Sequence, residues 1–287
     1  MSVDFSIIIP HKDIPKLLQR CLDTIPQCGN IQVIVVDDNS SSAKVDFKHF
    51  PGIDRANVEI LFTKEGKGAG YARNCGLKYA KGKWVLFADA DDFFHPCLEV
   101  AINECVDADC DIIFYASNTV DAKTLEILPS RLKLLSQMTQ EELRYKWPVP
   151  WAKMIKKSFI DRYHIYFDET IAANDVMFSL FTGYYAEKIK VSSFVLYCAT
   201  VRQDSLWYGM SYDSLLARIT VACRFNRFLY KKKIPCAREY SYGFVDRCKV
   251  YGCKAYLRGL CLYLCKEHIF YIYEDFSNLI KAKLRKK

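Results

Sequence analysis

Trp84-Val-Leu-Phe-Ala-Asp-Ala-Asp-Asp-Phe93 is an apolar run that ends abruptly in three carboxylates. Its first half lacks the alternation of a half-wet strand, so it suits a strand covered on both faces. Like charges this close repel unless a cation sits among them. Hard oxygen ligands favour Mg2+ or Mn2+, which keep several waters and bind through one or two carboxylates plus substrate phosphates. The same acids would also serve as solvated groups capping a helix that begins near Pro96.

Similar unalternating runs lie on either side: Phe5 to Pro10, Ile31 to Val36, Val58 to Phe62 and Ile112 to Tyr115. Between them come helical patterns: Leu17, Leu18, Cys21, Leu22 and Ile25, then about Ala69 to Ala80, then Pro96 to about Val106. Strands alternating with helices predict an α/β domain with a mainly parallel sheet and helices on both faces. Ligands in such sheets bind at the carboxyl ends of the strands. That rule selects His11, Lys12 and Asp13 after the first strand, Asp37 and Asp38 after the second, and Asp89 to Asp92 after the fourth. Asp37 and Asp38 could accept hydrogen bonds from a base or ribose, or equally make a polar turn with Asn39 and Ser40. Gly66-Lys-Gly-Ala-Gly-Tyr-Ala-Arg-Asn74 is glycine-rich but lacks the spacing of a dinucleotide or P-loop fingerprint. Arg73 and Asn74 could still face a nucleotide, the alternative being a loop followed by a surface arginine. His-Lys-Asp after the first strand, in place of glycines, argues against a nicotinamide dehydrogenase.

Beyond about residue 205 long helical patterns take over. Leu215, Ile219, Ala222, Phe225 and Leu229 mark one amphipathic helix, and about Ala237 to Cys265 and Glu267 to Lys283 read as two more. Residues 205 to 287 hold 17 Lys/Arg against 6 Asp/Glu, giving the tail a balance of +11 in a chain of net charge +8. With 16 of the chain's 41 aromatics, the tail suits either an anionic membrane surface or an aromatic bundle packed on the domain. It cannot span a bilayer, since Arg258, Lys266, Glu267 and His268 interrupt its most apolar stretch. Nucleic acid is not expected as a partner, because no single-strand binding motif accompanies the charge. The 13 cysteines are odd in number and scattered, and no basic leader precedes an apolar stretch at the N-terminus. Reduced thiols and residence in the cytoplasm are therefore expected, with peripheral attachment to the inner membrane face as the tail's alternative.

Four segments in order, Ser6-Ile-Ile-Ile-Pro10, Val35-Val-Asp-Asp-Asn-Ser40, Ala72-Arg-Asn-Cys-Gly76 and Phe87-Ala-Asp-Ala-Asp-Asp92, resemble family 2 glycosyltransferases of the GT-A fold. The resemblance implies a GT-A domain over residues 1–205, with a nucleotide-binding half at 1–115 and an acceptor-binding half at 116–205, followed by a helical extension at 206–287. It implies Mn2+ or Mg2+ as cofactor, held by Asp89 and Asp91. A nucleotide-sugar would contact Pro10, His11, Asp13, Asp37, Asp38, Gly70, Arg73, Asn74, Asp89, Ala90 and Arg202, the last from Arg202-Gln-Asp-Ser205. Asn174-Asp175-Val-Met-Phe178 matches the family's acidic pair before an aromatic, with Asn174 where relatives carry Glu. Asp175 is thereby implied as the catalytic base, and Trp151, Lys153 and Asn174 as acceptor-binding residues. His11-Lys-Asp13 also departs from the aromatic and Asn common in relatives.

The implied activity is that of an inverting glycosyltransferase moving a sugar, with a UDP-sugar as donor, to a glycan or lipid-linked saccharide in surface polysaccharide biosynthesis. The alternative is a non-catalytic nucleotide-sugar or glycan-binding subunit of a glycan-assembly complex.

Overall fold

The computed structural model describes residues 3–105, 107–129, 135–201, 210–234 and 238–284. In chain order the elements are β1 (Phe5–His11), α1 (Pro15–Asp23), β2 (Ile31–Asp38), β3 (Val58–Thr63), α2 (Ala69–Tyr79), β4 (Trp84–Phe87), β5 (Phe93–Phe94) and α3 (Leu98–Cys105). Then follow β6 (Ile112–Asp121), β7 (Ile127–Leu128), α4 (Gln140–Tyr145), β8 (Lys153–Lys156), α5 (Lys157–Arg162), α6 (Val176–Tyr185) and β9 (Ile189–Val201). Four helices end the chain: α7 (Tyr212–Lys231), α8 (Tyr242–Arg247), α9 (Cys253–Lys266) and α10 (Ile269–Leu284).

The sheet runs β3-β2-β1-β4-β8-β6-β9-β5, with β7 hairpinned onto β6. It is parallel from β3 to β4, as the alternating pattern predicts. Further on it becomes mixed, because β8 lies antiparallel between β4 and β6, and β5 antiparallel to β9, while β6 and β9 are parallel. Successive side chains of a strand point to opposite faces, and the central strands obey this. Ile7, Ile9, Val33 and Val35 enter one apolar core with α1 and α3, while Ile8, Ile34 and Val36 enter the other with α2, α5 and α6. Each such side chain, wholly removed from water, contributes on the order of 1.5–3 kcal/mol. This double burial is why the runs carry no polar alternation, and it brings the carboxyl ends of β1, β2 and β4 to one edge.

The C-terminal helices form their own apolar cluster around Leu215, Ile219, Cys223, Val245, Cys248 and Tyr263. The stretch expected as one helix from about Ala237 to Cys265 is divided: α8 runs into a 3-10 turn, Cys248–Tyr251, and Gly252 at φ +96 starts α9 on a new axis. Only glycine adopts that angle without strain. Residues 235–237, where that expected helix begins, lie outside the described residues. Every described cysteine is a free thiol, and among the described residues no helix is long and apolar enough to cross a membrane.

Candidate active site

The acid turn after β4 is held by its backbone and by its last carboxylate. Asp92 donates its N–H to the Asp89 carbonyl at 3.0 Å, closing the turn. The buried Asp92 carboxylate accepts from the Tyr197 hydroxyl at 2.9 Å and from the Thr200 N–H at 2.7 Å. Tyr197 in turn accepts the Asp89 N–H at 2.8 Å. The Asp91 carbonyl accepts from Arg20 at 2.5 Å and from the Thr200 hydroxyl at 2.8 Å. Burial, reinforced by the charges of Asp89 and Asp91, pushes the Asp92 carboxyl well above the usual range. Asp92 is therefore a buried strut, whereas Asp89 and Asp91 are half-buried.

Arg73, early in α2 and buried, links this turn to the start of α6. One guanidinium nitrogen donates to Asp89 Oδ1 at 2.5 Å and the other to Asn174 Oδ1 at 2.9 Å, while the group lies over the Phe167 ring. Asp175 caps α6 by position but makes no side-chain capping bond, so its carboxylate is not spent on the helix. Burial raises its pKa and Asp89 adds to the rise; Arg73 and Lys153 oppose it. A half-buried carboxylate whose pKa is raised in this way, with Asp89 near it, can accept a proton.

The strand ends nearest the N-terminus are hydrogen-bonded within the chain. His11 Nδ1 meets Asp37 Oδ2 at 2.8 Å, and His11 Nε2 accepts the Ile14 N–H at 3.2 Å, so the proton sits on Nδ1 and is donated to Asp37. Ser40 adds its hydroxyl and its N–H to the same carboxylate. Although burial disfavours the Asp37 charge, these donors hold its pKa below the usual carboxylate range. Asp38 accepts the Gly68 N–H at 2.7 Å and has Lys12 at 3.8 Å, so it fastens the glycine-rich loop. Asp13, at φ +60, accepts from the Ser41 N–H and Lys44. Half-buried Pro10 ends the buried run of β1, and Ala90 is buried inside the acid turn.

Two residues expected at the nucleotide make close contacts within the chain. A Cβ at Gly70 would stand 2.0 Å from the Asp168 carbonyl oxygen, so the glycine lets α2 touch the 167–174 segment. Asn74 uses both amide atoms on the Phe167 backbone, donating at 2.9 Å and accepting at 2.8 Å. On the acceptor side Trp151 stacks on Tyr197 with ring centroids 5.1 Å apart. Lys153 is buried, its ammonium donating to the Trp147 carbonyl at 2.9 Å, and desolvation draws its pKa down to about 7 against the pull of Asp175. Arg202 lies outside the described residues. Tyr197, Thr200 and Arg20, which hold the acid turn, carried no sequence signal, since β9 joins the turn only through the fold.

The donor set suits a hard divalent cation. Asp89 and Asp91 offer carboxylate oxygens on one turn, and their charges add to the burial that raises the pKa of Asp92. Among the described residues no three His, Cys, Asp or Glu side chains converge to hold an ion alone; Mg2+ and Mn2+ bind through one or two carboxylates, with water and phosphate oxygens completing the shell.

The family profile described as Glycosyl transferase family 2 matches residues 6–168. The chain is 26% identical over 282 residues to the Bacillus subtilis protein named uncharacterized glycosyltransferase EpsJ, covering 91% of this chain and 78% of that one. It is 25% identical over 248 residues to glycosyltransferase GlyA of Streptococcus pneumoniae, covering 77% of this chain but 35% of that longer protein. In fold it is similar to residues 1–349 of S. aureus TarS, crystallised in complex with UDP-GlcNAc. The TM-score is 0.65 and the identity 21%, over 90% of this chain and 80% of that one.

Proposed function

Because the chain belongs to glycosyl transferase family 2, we propose that it transfers a sugar from a UDP-sugar to a glycan or lipid-linked saccharide in surface polysaccharide biosynthesis, with inversion at the anomeric carbon. The observation that carries this reading is that Arg73 joins Asp89 to the N-terminus of α6, where Asp175 stands with no helix-capping bond. The UDP-GlcNAc bound by TarS, of like fold, supports UDP as the donor's nucleotide. Residues 1–205 are the catalytic unit in this proposal, 1–115 meeting the nucleotide and 116–205 the acceptor, with 206–287 as a helical extension.

In the proposed reaction Asp175 accepts the proton of the acceptor hydroxyl as that oxygen forms its bond to the anomeric carbon. The bond from that carbon to the diphosphate breaks on the opposite face, and its electron pair departs with UDP. Mn2+ or Mg2+, held by Asp89 and Asp91, would offset the charge of the departing diphosphate. Arg73 opposes the burial that raises the pKa of Asp175, and the Asp92 strut, braced by Tyr197 and Thr200, keeps the acid turn from moving with the leaving group. Fixed charge already in place when the diphosphate departs costs no rearrangement during reaction. Trp151 offers an aromatic face to the acceptor, while Asn174 acts through its bond to Arg73.

The test is Mn2+-dependent hydrolysis and transfer from a panel of nucleotide sugars by the full-length protein. Asp175→Asn is expected to lose about 10²- to 10⁴-fold in turnover with UDP binding retained, and Asp91→Asn to lose the Mn2+ dependence of UDP binding. Undiminished turnover in Asp175→Asn would remove the base from the scheme.

The extension is proposed to lie on an anionic membrane. Leu257, Leu264, Ile269, Phe270 and Tyr273 are exposed on α9 and α10 beside Lys254, Arg258 and Lys266, a pairing of apolar and basic side chains that suits headgroups. Sedimentation with anionic vesicles should fall when Ile269, Phe270 and Tyr273 are all changed to Ser; equal sedimentation would discard this surface.

A further inference from the structure

Helix α7 is the first element of the C-terminal bundle, yet it packs against α6, whose N-terminus carries Asp175. Val221, Phe225 and Leu229 share an apolar cluster with Met177 and Leu180. Phe228 lies against Phe181 and Tyr184, in the later half of α6, and Arg224, one turn earlier on α7, pairs with Asp168 beside the start of α6. Moving toward the beginning of α7 therefore moves toward the beginning of α6. Arg218 lies further in that direction, one turn before Val221.

The side chain of Arg218 is half-buried, and its Nε is buried with no hydrogen-bond acceptor. Among the described residues the guanidinium has no ion-pair partner. Burial lowers its pKa; the acid that pulls it back up is Asp175, and the neighbour that pushes it further down is Arg247 of α8. Arg247 is exposed, and among the described residues its guanidinium bonds only Met210 Sδ, at 3.6 Å. Two guanidinia from the packed helices α7 and α8 thus stand near the beginning of α7 with no ion-pair partner among the described residues, toward the end of α6 that carries the proposed base. Such a pair costs free energy unless an anion joins it, and planar guanidinia match phosphate oxygens in a bidentate way.

We propose that Arg218 and Arg247 bind a phosphate carried by the acceptor, so that the C-terminal helices complete the acceptor site and select a phosphorylated or diphosphate-linked saccharide. This rests on the glycosyltransferase reading with Asp175 as base, because the base must meet the acceptor hydroxyl. The donor's own diphosphate is assigned to Asp89 and Asp91, which leaves the arginine pair for a second anion.

The experiment is calorimetric titration of the full-length protein with inorganic phosphate, alone and after saturation with UDP and Mg2+. Phosphate should bind with the nucleotide in place. Arg218→Met and Arg247→Met should each weaken that binding by about tenfold or more, the usual worth of a charge-assisted hydrogen bond, while UDP affinity stays within about twofold. Because Arg247 is exposed, its variant reads the site even if Arg218→Met folds poorly. Glucose 1-phosphate and a short prenyl diphosphate, used as competitors, separate a sugar phosphate from a lipid diphosphate. Displacement of phosphate by either supports the proposal, and displacement by neither overturns it. No phosphate uptake beside bound UDP, unaltered uptake in both variants, or an equal loss of UDP affinity would also overturn it. Failure of UDP and Mg2+ to bind at all would instead sink the donor assignment, since phosphate binding to the nucleotide-free protein still reports on the arginine pair.

Discussion

Replacing Arg73 by Met keeps an unbranched, buried side chain and removes a guanidinium that donates to Asp89 at 2.5 Å and to Asn174 at 2.9 Å. Asp89 has a side-chain exposure of 34%, so water can replace part of its lost partner and its share falls to the low end of a charged hydrogen bond, about 1.5 kcal/mol. The Asn174 bond adds about 1 kcal/mol. Together the loss is roughly 2–3 kcal/mol, a fall in Tm of about 5–10 °C for a chain of this size. Arg73 is also the largest influence lowering the pKa of Asp175 against burial. The sign follows from the role: a base is lost when protonated, so a higher pKa makes activity disappear at a higher pH. The acid limb of kcat/KM should therefore move to higher pH in Arg73→Met. Arg73→Lys keeps the charge but not both bonds, so its acid limb should stay near that of the parent while its Tm falls. Thermal melts and pH profiles of the three proteins decide it. An unmoved acid limb in Arg73→Met, or equal shifts in the Met and Lys variants, would refute the charge relay.

Lys153, with its pKa drawn down to about 7 from an ordinary 10.5, binds fewer protons folded than unfolded between those values, so folding gains stability as pH rises through that window. Lys153→Met lacks this slope, and urea unfolding should show the parent gaining on the variant by up to about 1.4 kcal/mol per pH unit above 7; a gap that does not change with pH would contradict the burial of the ammonium. Gly70→Ala puts a methyl 2.0 Å from the Asp168 carbonyl oxygen and 3.0 Å from Asn174 Cβ. Since a backbone carbonyl cannot turn aside, stability should fall by about 1–3 kcal/mol, and turnover should fall with it as Asn174 is pushed from Arg73; a Tm within a degree of the parent would show that α2 and the 167–174 segment are not in contact.

The central strands β1 and β2 are legible because both faces are covered: Ile7 and Ile8 serve different cores, so the run shows no polar alternation. The acids at their ends stand out against that background. The second half hides itself. β8 begins and ends with lysine, and only the fold reveals that Lys153 folds back onto the Trp147 carbonyl in the interior. The fine structure of the site is equally silent in sequence, because its partners come from far along the chain: Asp92 is completed by Tyr197 and Thr200, and Arg73 by Asn174. Short-range spacing cannot announce such pairs. Asp37 and Gly70 look like ligand contacts from their neighbours alone, and only the fold adds that one receives His11 and Ser40 and the other admits a carbonyl.

The long strand β9 bears on how such a molecule can diversify. It pairs with β5 and β6, and its Tyr197 and Thr200 complete a carboxylate that belongs to the first hundred residues. A chimera that joined residues 1–115 to an unrelated second half would orphan Asp92 in the interior unless the incoming strand restored a hydroxyl and an amide at those two places. New specificities are more readily reached by altering the rims than by exchanging halves, since the seam between the halves runs through the chemistry itself.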